Sequence, residues 1–177
     1  MKPAAKRELI SSSDTCVTAD SPSEPPARET VQLRSFARSD FETLYEIDQK
    51  CYPPEMAYSR REFRWYMRLP GAEVIVAESQ SAIAGFILTA CFEHSGHIIT
   101  IDVLSEFRRA RVGTALLSTA EASLARRGAK EIELETATDN AAAIEFWKRS
   151  GYLTRGILKN YYPGGLAAYA MMKRLDP

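Results

Sequence analysis

From Val31 onward, apolar residues recur with two different spacings, which predict two kinds of secondary structure. Apolar residues at every second position are typical of strands, whereas apolar residues three and four positions apart are typical of helices. The predicted strands cover 31–36, 72–78, 83–92, 97–103, 130–136, 152–158 and 167–173, and the predicted helices cover 41–49, 60–69, 113–127 and 141–150. This order predicts an α/β (α+β) fold, in which a mixed sheet carries helices on both faces.

Local signals support several of these boundaries. Ser59 followed by Glu62 has the spacing of a capping box at the start of the second helix. Gly128 suits the position just beyond the end of the third helix. Gly85 interrupts an apolar strand, which predicts a bulge or another part of the chain approaching its backbone closely.

Residues 1–30 have a different composition, rich in Ser, Pro, Ala and charge and without a hydrophobic period. We interpret them as a disordered leader and residues 31–177 as a single domain. Lys plus Arg and Asp plus Glu both total 23, so the overall charge predicts no nucleic acid and no anionic membrane as partner. No apolar run reaches the roughly 20 residues of a membrane span. The three cysteines fit a reducing cytoplasm, and the oligomeric state stays open.

The stretch 97–117, HIITIDVLSEFRRARVGTALL, is predicted to be a strand, a basic loop and the start of a helix. A helix start gathers backbone N–H groups without acceptors together with the positive end of the helix dipole, so it suits a phosphate group. Three arginines in this loop, Arg108, Arg109 and Arg111, add positive charge. On spacing alone, an exposed loop of solvated arginines is an equally good interpretation.

Residues 134–152, LETATDNAAAIEFWKRSGY, and the later KNYY of 159–162 resemble the GCN5-related N-acetyltransferases (GNAT), and within them the RimI-type and N-terminal-amine enzymes. The resemblance covers about 31–175. It implies a GNAT-like, mostly antiparallel central sheet with helices on both faces and a β-α unit that binds phosphate. It also implies acetyl-CoA as cosubstrate and an acyltransferase activity.

The RRARVG of 108–113 is similar to the family's coenzyme A signature, but Arg111 occupies a position where that signature has glycine. A side chain there is costly if the backbone needs a positive φ. The resemblance implies that coenzyme A contacts the strand end, the basic loop, an Asn and a helix residue. These are Ile101, Asp102, Val103, Arg108, Arg109, Ala110, Arg111, Val112, Gly113, Thr114, Asn140 and Trp147.

For catalysis, the resemblance implies Glu135 as the base and a backbone N–H at Val103 as the oxyanion contact. Glu135 also alternates with two other glutamates, so a solvated strand face is its competing interpretation. Trp147 occupies the position of the RimI-type acidic Tyr, and indole cannot release a proton at a useful pH. We therefore expect slower turnover or a substitute among Tyr152, Tyr161 and Tyr162, with simple packing as the alternative role of Trp147.

The resemblance also implies an acceptor site between the first two helices and the last hairpin. Its predicted contacts are Tyr52, Pro53, Glu55, Met56, Tyr58, Tyr161 and Tyr162. The predicted acceptor is a protein or peptide N-terminus. A small amine, a lysine side chain and a regulatory module that only binds acetyl-CoA are the alternatives. His94 and His97 are three positions apart on a predicted strand, which separates their faces, so we expect no metal site.

Overall fold

The computed structural model of this chain describes residues 31–79 and 82–175. The predicted leader, 1–30, lies outside these residues. The strands are β1 Gln32–Ser35, β2 Ala72–Ser79, β3 Ala82–Phe92, β4 Ser95–Val103, β5 Glu131–Ala137, β6 Leu153–Leu158 and β7 Ala168–Arg174. The helices are α1 Phe41–Cys51, α2 Arg60–Tyr66, α3 Val112–Arg126 and α4 Ala141–Arg149, with short 3-10 turns at Arg38–Asp40, Ser105–Phe107 and Pro163–Gly165. The predicted order of elements is confirmed.

The seven strands form one sheet in the order β1-β2-β3-β4-β5-β7-β6. Only β4 and β5 pair in parallel, and the other neighbours are antiparallel. Helix α3 connects the two parallel strands, because a parallel pair needs a crossover. The sheet is therefore mixed and mostly antiparallel, as the resemblance implied.

Each face of the sheet carries its own hydrophobic core. On one face, α3 and α4 pack through Leu116, Leu124 and Trp147 against Ile87 and other strand residues. On the other face, α1 and α2 contribute the residues Leu44, Ile47, Cys51, Phe63 and Tyr66, which pack with Phe86 and Leu88. The prediction of helices on both faces is confirmed.

Local chemistry sets several helix ends. The Ser59–Glu62 capping box is present, with the Ser59 oxygen accepting from the Glu62 N–H and the Glu62 carboxylate accepting from the Ser59 N–H. Helix α1 continues to Cys51, two residues past its predicted end, and stops where Tyr52 becomes extended before Pro53. The residue before a proline is disfavoured in the helical conformation, which explains this end. Helix α2 ends at Tyr66 rather than at residue 69, because a hydrogen-bonded turn precedes Pro70.

Strands β4 and β5 separate soon after they meet. Their pairing covers only Ser95–His97 against Glu131–Glu133. The pairing of β4 with β3 also shifts register between Leu88 and Thr89, which leaves Ile99 as an extra residue and bends the strand. Beyond His97 the two parallel strands therefore diverge, and a gap opens between their carboxyl ends.

Gly85 supports β4 at the mouth of this gap. A Cβ atom on Gly85 would collide with the carbonyl oxygen of Asp102, so only glycine fits at this position. The predicted close approach is confirmed. A hydrogen bond from the Leu104 N–H to the Ala84 carbonyl follows at 3.0 Å. Since N–H groups alternate in direction along a strand, the N–H of Val103 faces the opposite edge, toward the gap.

Candidate active site

A cleft of about 720 Å³ occupies the gap between β4 and β5 and continues past the starts of α3 and α4. Its apolar wall includes residues of both strands and of α4. The residues that line it are Tyr52, Ile98, Ile99, Thr100, Ile101, Val103, Ser105, Phe107, Arg108, Arg109, Arg111, Val112, Gly113, Thr114, Leu134, Glu135, Ala142, Ala143, Phe146, Trp147 and Arg149. The cleft is long enough, and mixed enough in chemistry, to hold an extended ligand with an anionic end.

Guanidinium groups surround the end of the cleft at α3. Arg108 is half buried and donates from Nε to the Val103 carbonyl at 3.1 Å, which fixes the loop to the end of β4. Arg109 and Arg111 are exposed, and Arg149 comes from the last turn of α4. Four arginines therefore line the cleft, three from the loop before α3 and one from α4.

The backbone at the start of α3 is arranged to bind an anion. The Ala115 N–H bonds to the Arg111 carbonyl at 2.9 Å and begins the helical ladder. The N–H groups of the residues before it, Val112, Gly113 and Thr114, belong to the first turn, which has no acceptors within a helix. A Cβ on Gly113 would meet Phe146 at 3.8 Å, an ordinary contact distance, and Gly113 itself lines the cleft.

The basic loop reaches this arrangement through two strained residues. Arg109 has φ 64° and Arg111 has φ 61°, both in the left-handed region. Glycine adopts this conformation freely, whereas a side chain there costs of order 1 kcal/mol. From the sequence, a side chain at Arg111 is expected to be costly if the backbone there has a positive φ. The structure shows that it does.

Three residues predicted to contact coenzyme A do not line the cleft: Asp102, Ala110 and Asn140. Asp102 is buried, and its Oδ1 accepts hydrogen bonds from Tyr52 at 2.6 Å and from Thr100 at 2.8 Å. The Asp102 carboxylate is therefore committed to the protein itself. Ala110 lies on the exposed turn between the two strained arginines.

Asn140 is the N-cap of α4 and lies just beneath the cleft. Its Oδ1 accepts from the Ala143 N–H at 3.1 Å, which confirms the predicted cap. Its side-chain Nδ2 is buried and has no acceptor among the described residues. A buried donor without a partner costs free energy, so this amide is available to a ligand that offers an acceptor.

Glu135 of β5 also lines the cleft. Its carboxylate is only 13% exposed, and Oε2 lies 3.1 Å from Nε2 of His97 on β4. The neighbouring Glu133 on the same strand is exposed. The interpretation of Glu135 as part of a solvated strand face is therefore wrong for this residue, although it holds for Glu133.

Tyr161 and Tyr162 lie beside this carboxylate, and together with Tyr58 and Tyr66 they form what we name the tyrosine cluster. The rings of Tyr58 and Tyr66 are 4.9 Å apart, and those of Tyr161 and Tyr162 are 5.0 Å apart. Burial, and next to it the charge of Glu135, raises the pKa of both Tyr161 and Tyr162. These two hydroxyls therefore stay protonated beside the carboxylate.

The loop between α1 and α2 contributes to the same region, although not all of its predicted contacts point inward. Tyr52 lines the cleft, and the hydroxyl of buried Tyr58 donates to the Ile99 carbonyl at 3.4 Å. Met56 is also buried, whereas Glu55 is exposed and Pro53 half buried. The last two lie at the rim of the loop.

Trp147 and Tyr152 have structural environments. Trp147 is buried, with its ring edge-on to Phe146 at 4.9 Å and to Tyr152 at 5.4 Å, while it also lines the cleft. Tyr152 is fully buried and donates to Glu121 at 3.0 Å. The cleft wall includes none of Tyr152, Tyr161 and Tyr162. Because the Tyr152 hydroxyl already donates to Glu121, Tyr161 and Tyr162, beside Glu135, are the better candidates for a substitute hydrogen-bond donor.

Sequence reasoning missed several residues of the site, above all His97, Phe146 and Arg149. The sequence predicts no metal site at His97, and it gives no sign of a catalytic role, because the carboxylate beside His97 comes from a distant part of the chain. Arg149 lies three residues after Phe146 in α4, so the two side chains are neighbours on one face of the helix. This spacing could have indicated that Arg149 lies on the cleft side. The other histidine, His94, lies 3.1 Å from the Gly128 carbonyl in a turn.

Within 31–79 and 82–175, no three His, Cys, Asp or Glu side chains come together in a way that could hold a metal ion. None of the helices in the same ranges combines the length and the apolar character that crossing a membrane requires.

Residues 41–152 match the family described as the acetyltransferase (GNAT) family. An uncharacterized N-acetyltransferase of Methanocaldococcus jannaschii is 32% identical over 143 residues, which cover 80% of this chain and 90% of that protein. An N-alpha-acetyltransferase of Sulfurisphaera tokodaii is 26% identical, with 79% and 90% covered. The ribosomal-protein-S18-alanine N-acetyltransferase of Escherichia coli shares the fold with a TM-score of 0.76 at 24% identity, over 84% of this chain and 96% of its own.

Proposed function

Because this chain belongs to the GNAT family of acetyltransferases, we propose that it transfers the acetyl group of acetyl-CoA to the N-terminal α-amine of a protein or peptide. One observation carries the proposal. Glu135, which pairs with His97, lines the same cleft as four arginines. A donor with an anionic tail and an amine acceptor would therefore meet in this cleft.

The cleft has the chemistry that acetyl-CoA requires. The arginines and the N–H groups of residues 112–114 would hold its phosphates, and the apolar walls of β4 and β5 would hold its extended arm. The unpaired Nδ2 of Asn140 would donate to an amide oxygen of that arm. When bound, acetyl-CoA supplies an activated acetyl thioester.

The strand end of β4 supplies the donor for the thioester oxygen. The Val103 N–H faces the gap, as the pairing of Leu104 with Ala84 requires. A backbone donor held rigidly at the position where negative charge develops stabilises a transition state without reorganising. Arg108, bonded to the Val103 carbonyl, keeps this segment in place.

Glu135 and His97 accept the proton of the attacking amine. An α-amino group has a pKa of about 7.7–8.0, against about 10.4 for lysine, so a carboxylate and an imidazole suffice to deprotonate it near neutral pH. This difference favours an N-terminal amine over a lysine side chain. The largely buried position of Glu135 limits the access of solvent to its carboxylate.

The hydroxyl groups of Tyr161 and Tyr162 supply hydrogen-bond donors beside Glu135. Their raised pKa values keep them protonated at physiological pH, so either hydroxyl can donate a hydrogen bond to the substrate or to a departing thiolate. A thiol with a pKa of about 8.5 leaves as a thiolate with little assistance. Trp147 therefore needs no role as an acid, and its side chain forms part of the cleft wall.

Cytoplasmic location completes the proposal. Cys51 and Cys91 are both free thiols, and they belong to different elements, α1 and β3. Unpaired cysteines persist in reducing compartments, and acetyl-CoA-dependent modification of protein N-termini requires access to newly made chains.

An acetylation assay with three acceptor classes tests the proposal. The purified chain is incubated with acetyl-CoA and with free N-terminal peptides, N-terminally blocked lysine peptides or polyamines, and released CoA thiol is measured. We expect turnover with the free N-termini only. Preference for lysine peptides or polyamines would overturn the choice of acceptor. A rise in melting temperature with acetyl-CoA, without turnover of any acceptor, would indicate a binding module.

A further inference from the structure

Helix α2 carries a basic groove outside the cleft. The groove has a volume of about 550 Å³ and is lined by Arg60, Arg61, Arg64, Trp65, Arg68, Leu69 and Pro70. All four arginines are exposed, and the Trp65 side chain is 43% exposed. An exposed tryptophan framed by four guanidinium groups is unusual on a chain whose charged residues balance.

The arginines of this groove differ in their partners. Arg60 pairs with Glu42 at 2.6 Å and stacks over the Tyr45 ring, so it holds α2 against α1. Arg64 stacks over the Phe41 ring at 4.7 Å. Arg61 and Arg68 have no acidic partner among the described residues and remain available to an external anion.

The groove lies beside the tyrosine cluster. The Trp65 ring lies 4.9 Å from the Tyr66 ring, and Tyr66 belongs to the tyrosine cluster. Tyr66 in turn lies near Tyr161, and Tyr161 lies beside Glu135. One run of aromatic rings therefore leads from the candidate base to the basic groove.

We propose that this α2 groove binds acidic side chains of the acceptor polypeptide, a few residues beyond the amine that is acetylated. The inference rests on the proposed function, because it takes the amine to lie at Glu135. A chain that leaves Glu135 along the tyrosine cluster reaches Trp65, where its backbone and apolar groups pack on the indole. Asp or Glu side chains there would pair with Arg61 and Arg68 in bidentate geometry.

An acidic peptide fits this groove better than a nucleic acid does. The excess positive charge comes from a single seven-residue helix and its next turn, and Glu42 and Glu62 lie within the same surface. A nucleic acid site neutralises several successive phosphates along an extended basic surface. The groove supplies two arginines without acidic partners, enough for one or two carboxylates.

Matched peptides test this inference. Three peptides share their first four residues and continue with an acidic, a neutral or a basic tail. We expect the acidic tail to lower KM about three- to tenfold at low salt, with kcat unchanged and the advantage lost in 0.5 M NaCl. The double substitution R61E/R68E should abolish the advantage, whereas R126E, a charge reversal at the far end of α3, should retain it.

A binding measurement separates this inference from the proposed function. N-terminally acetylated, fluorescently labelled versions of the same peptides are titrated with the chain and followed by anisotropy, which needs no turnover. Tighter binding of the acidic tail that R61E/R68E removes supports the groove even if no acceptor is acetylated. Equal affinity for all tails, or displacement of the acidic peptide by single-stranded RNA at lower concentration than by free acidic peptide, overturns it.

Discussion

His97 Nε2 lies 3.1 Å from Glu135 Oε2, and the two residues come from parallel strands at the point where those strands separate. His97 is the last residue of β4 that pairs with β5, and Glu135 lies two residues beyond its partner Glu133. The divergence of the strands therefore opens the cleft beside this pair, and Glu135 lines it. This relationship is the basis for assigning proton transfer to Glu135.

Replacing Glu135 by Gln should lower kcat/KM for an N-terminal peptide about a hundredfold, because the base is lost while size and shape are kept. Glu133→Gln is the matched control, since it makes the same change on the same strand at an exposed position. Initial rates of CoA release measure both. Equal effects of the two substitutions would remove Glu135 from the chemistry.

Replacing Trp147 by Tyr should raise kcat, because it introduces a hydroxyl on the cleft wall where the RimI-type enzymes have one. The smaller ring should also cost about 1–2 kcal/mol of unfolding free energy, since Trp147 packs between Phe146 and Tyr152. Trp147→Phe loses similar packing without adding a hydroxyl, so only Trp147→Tyr should gain turnover. Urea denaturation and initial rates separate the two effects, and a large loss of kcat in Trp147→Tyr would contradict the prediction.

The parts of this molecule that were predictable from sequence depend on short-range chemistry. The Ser59–Glu62 capping box, the cap at Asn140 and the close approach at Gly85 each depend on one or two residue types at fixed spacing. The order of elements followed from periodicity alone. Tertiary pairing decides the remainder: nothing local to His97 indicates that a carboxylate from β5 will face it.

The basic loop illustrates the same limit. Its charge and its position before a helix were visible in the sequence, but its left-handed arginines were not, because a positive φ at a non-glycine residue is imposed by surrounding structure. The environments of Asp102 and Tyr152 were equally hidden. Each was expected at the ligand because of its motif position, and each is instead bonded within the protein.

Between about pH 6 and 10, kcat/KM should rise with pH and should not fall again. Activity should rise with pH as the acceptor α-ammonium loses its proton near about 7.7–8.0. The pKa of Tyr161 and of Tyr162 is raised above the usual value of about 10, so these hydroxyls remain protonated and cause no fall on the alkaline side. Measuring kcat/KM from about pH 6 to 10 checks this. A decline near pH 9 that Tyr161→Phe abolishes would contradict it.

Two substitutions at Arg111 separate its charge from its backbone strain. Arg111→Ala removes the guanidinium but keeps a Cβ at φ 61°, whereas Arg111→Gly removes both. The Gly variant should be about 0.5–1 kcal/mol more stable than the Ala variant, because relief of the left-handed strain exceeds the entropic cost of glycine. Both variants should bind acetyl-CoA a few-fold more weakly at low salt, since one of four cations at the phosphate end is lost. Urea denaturation and calorimetric titration measure the two quantities. A Gly variant no more stable than the Ala variant would show that the loop is relaxed at this residue.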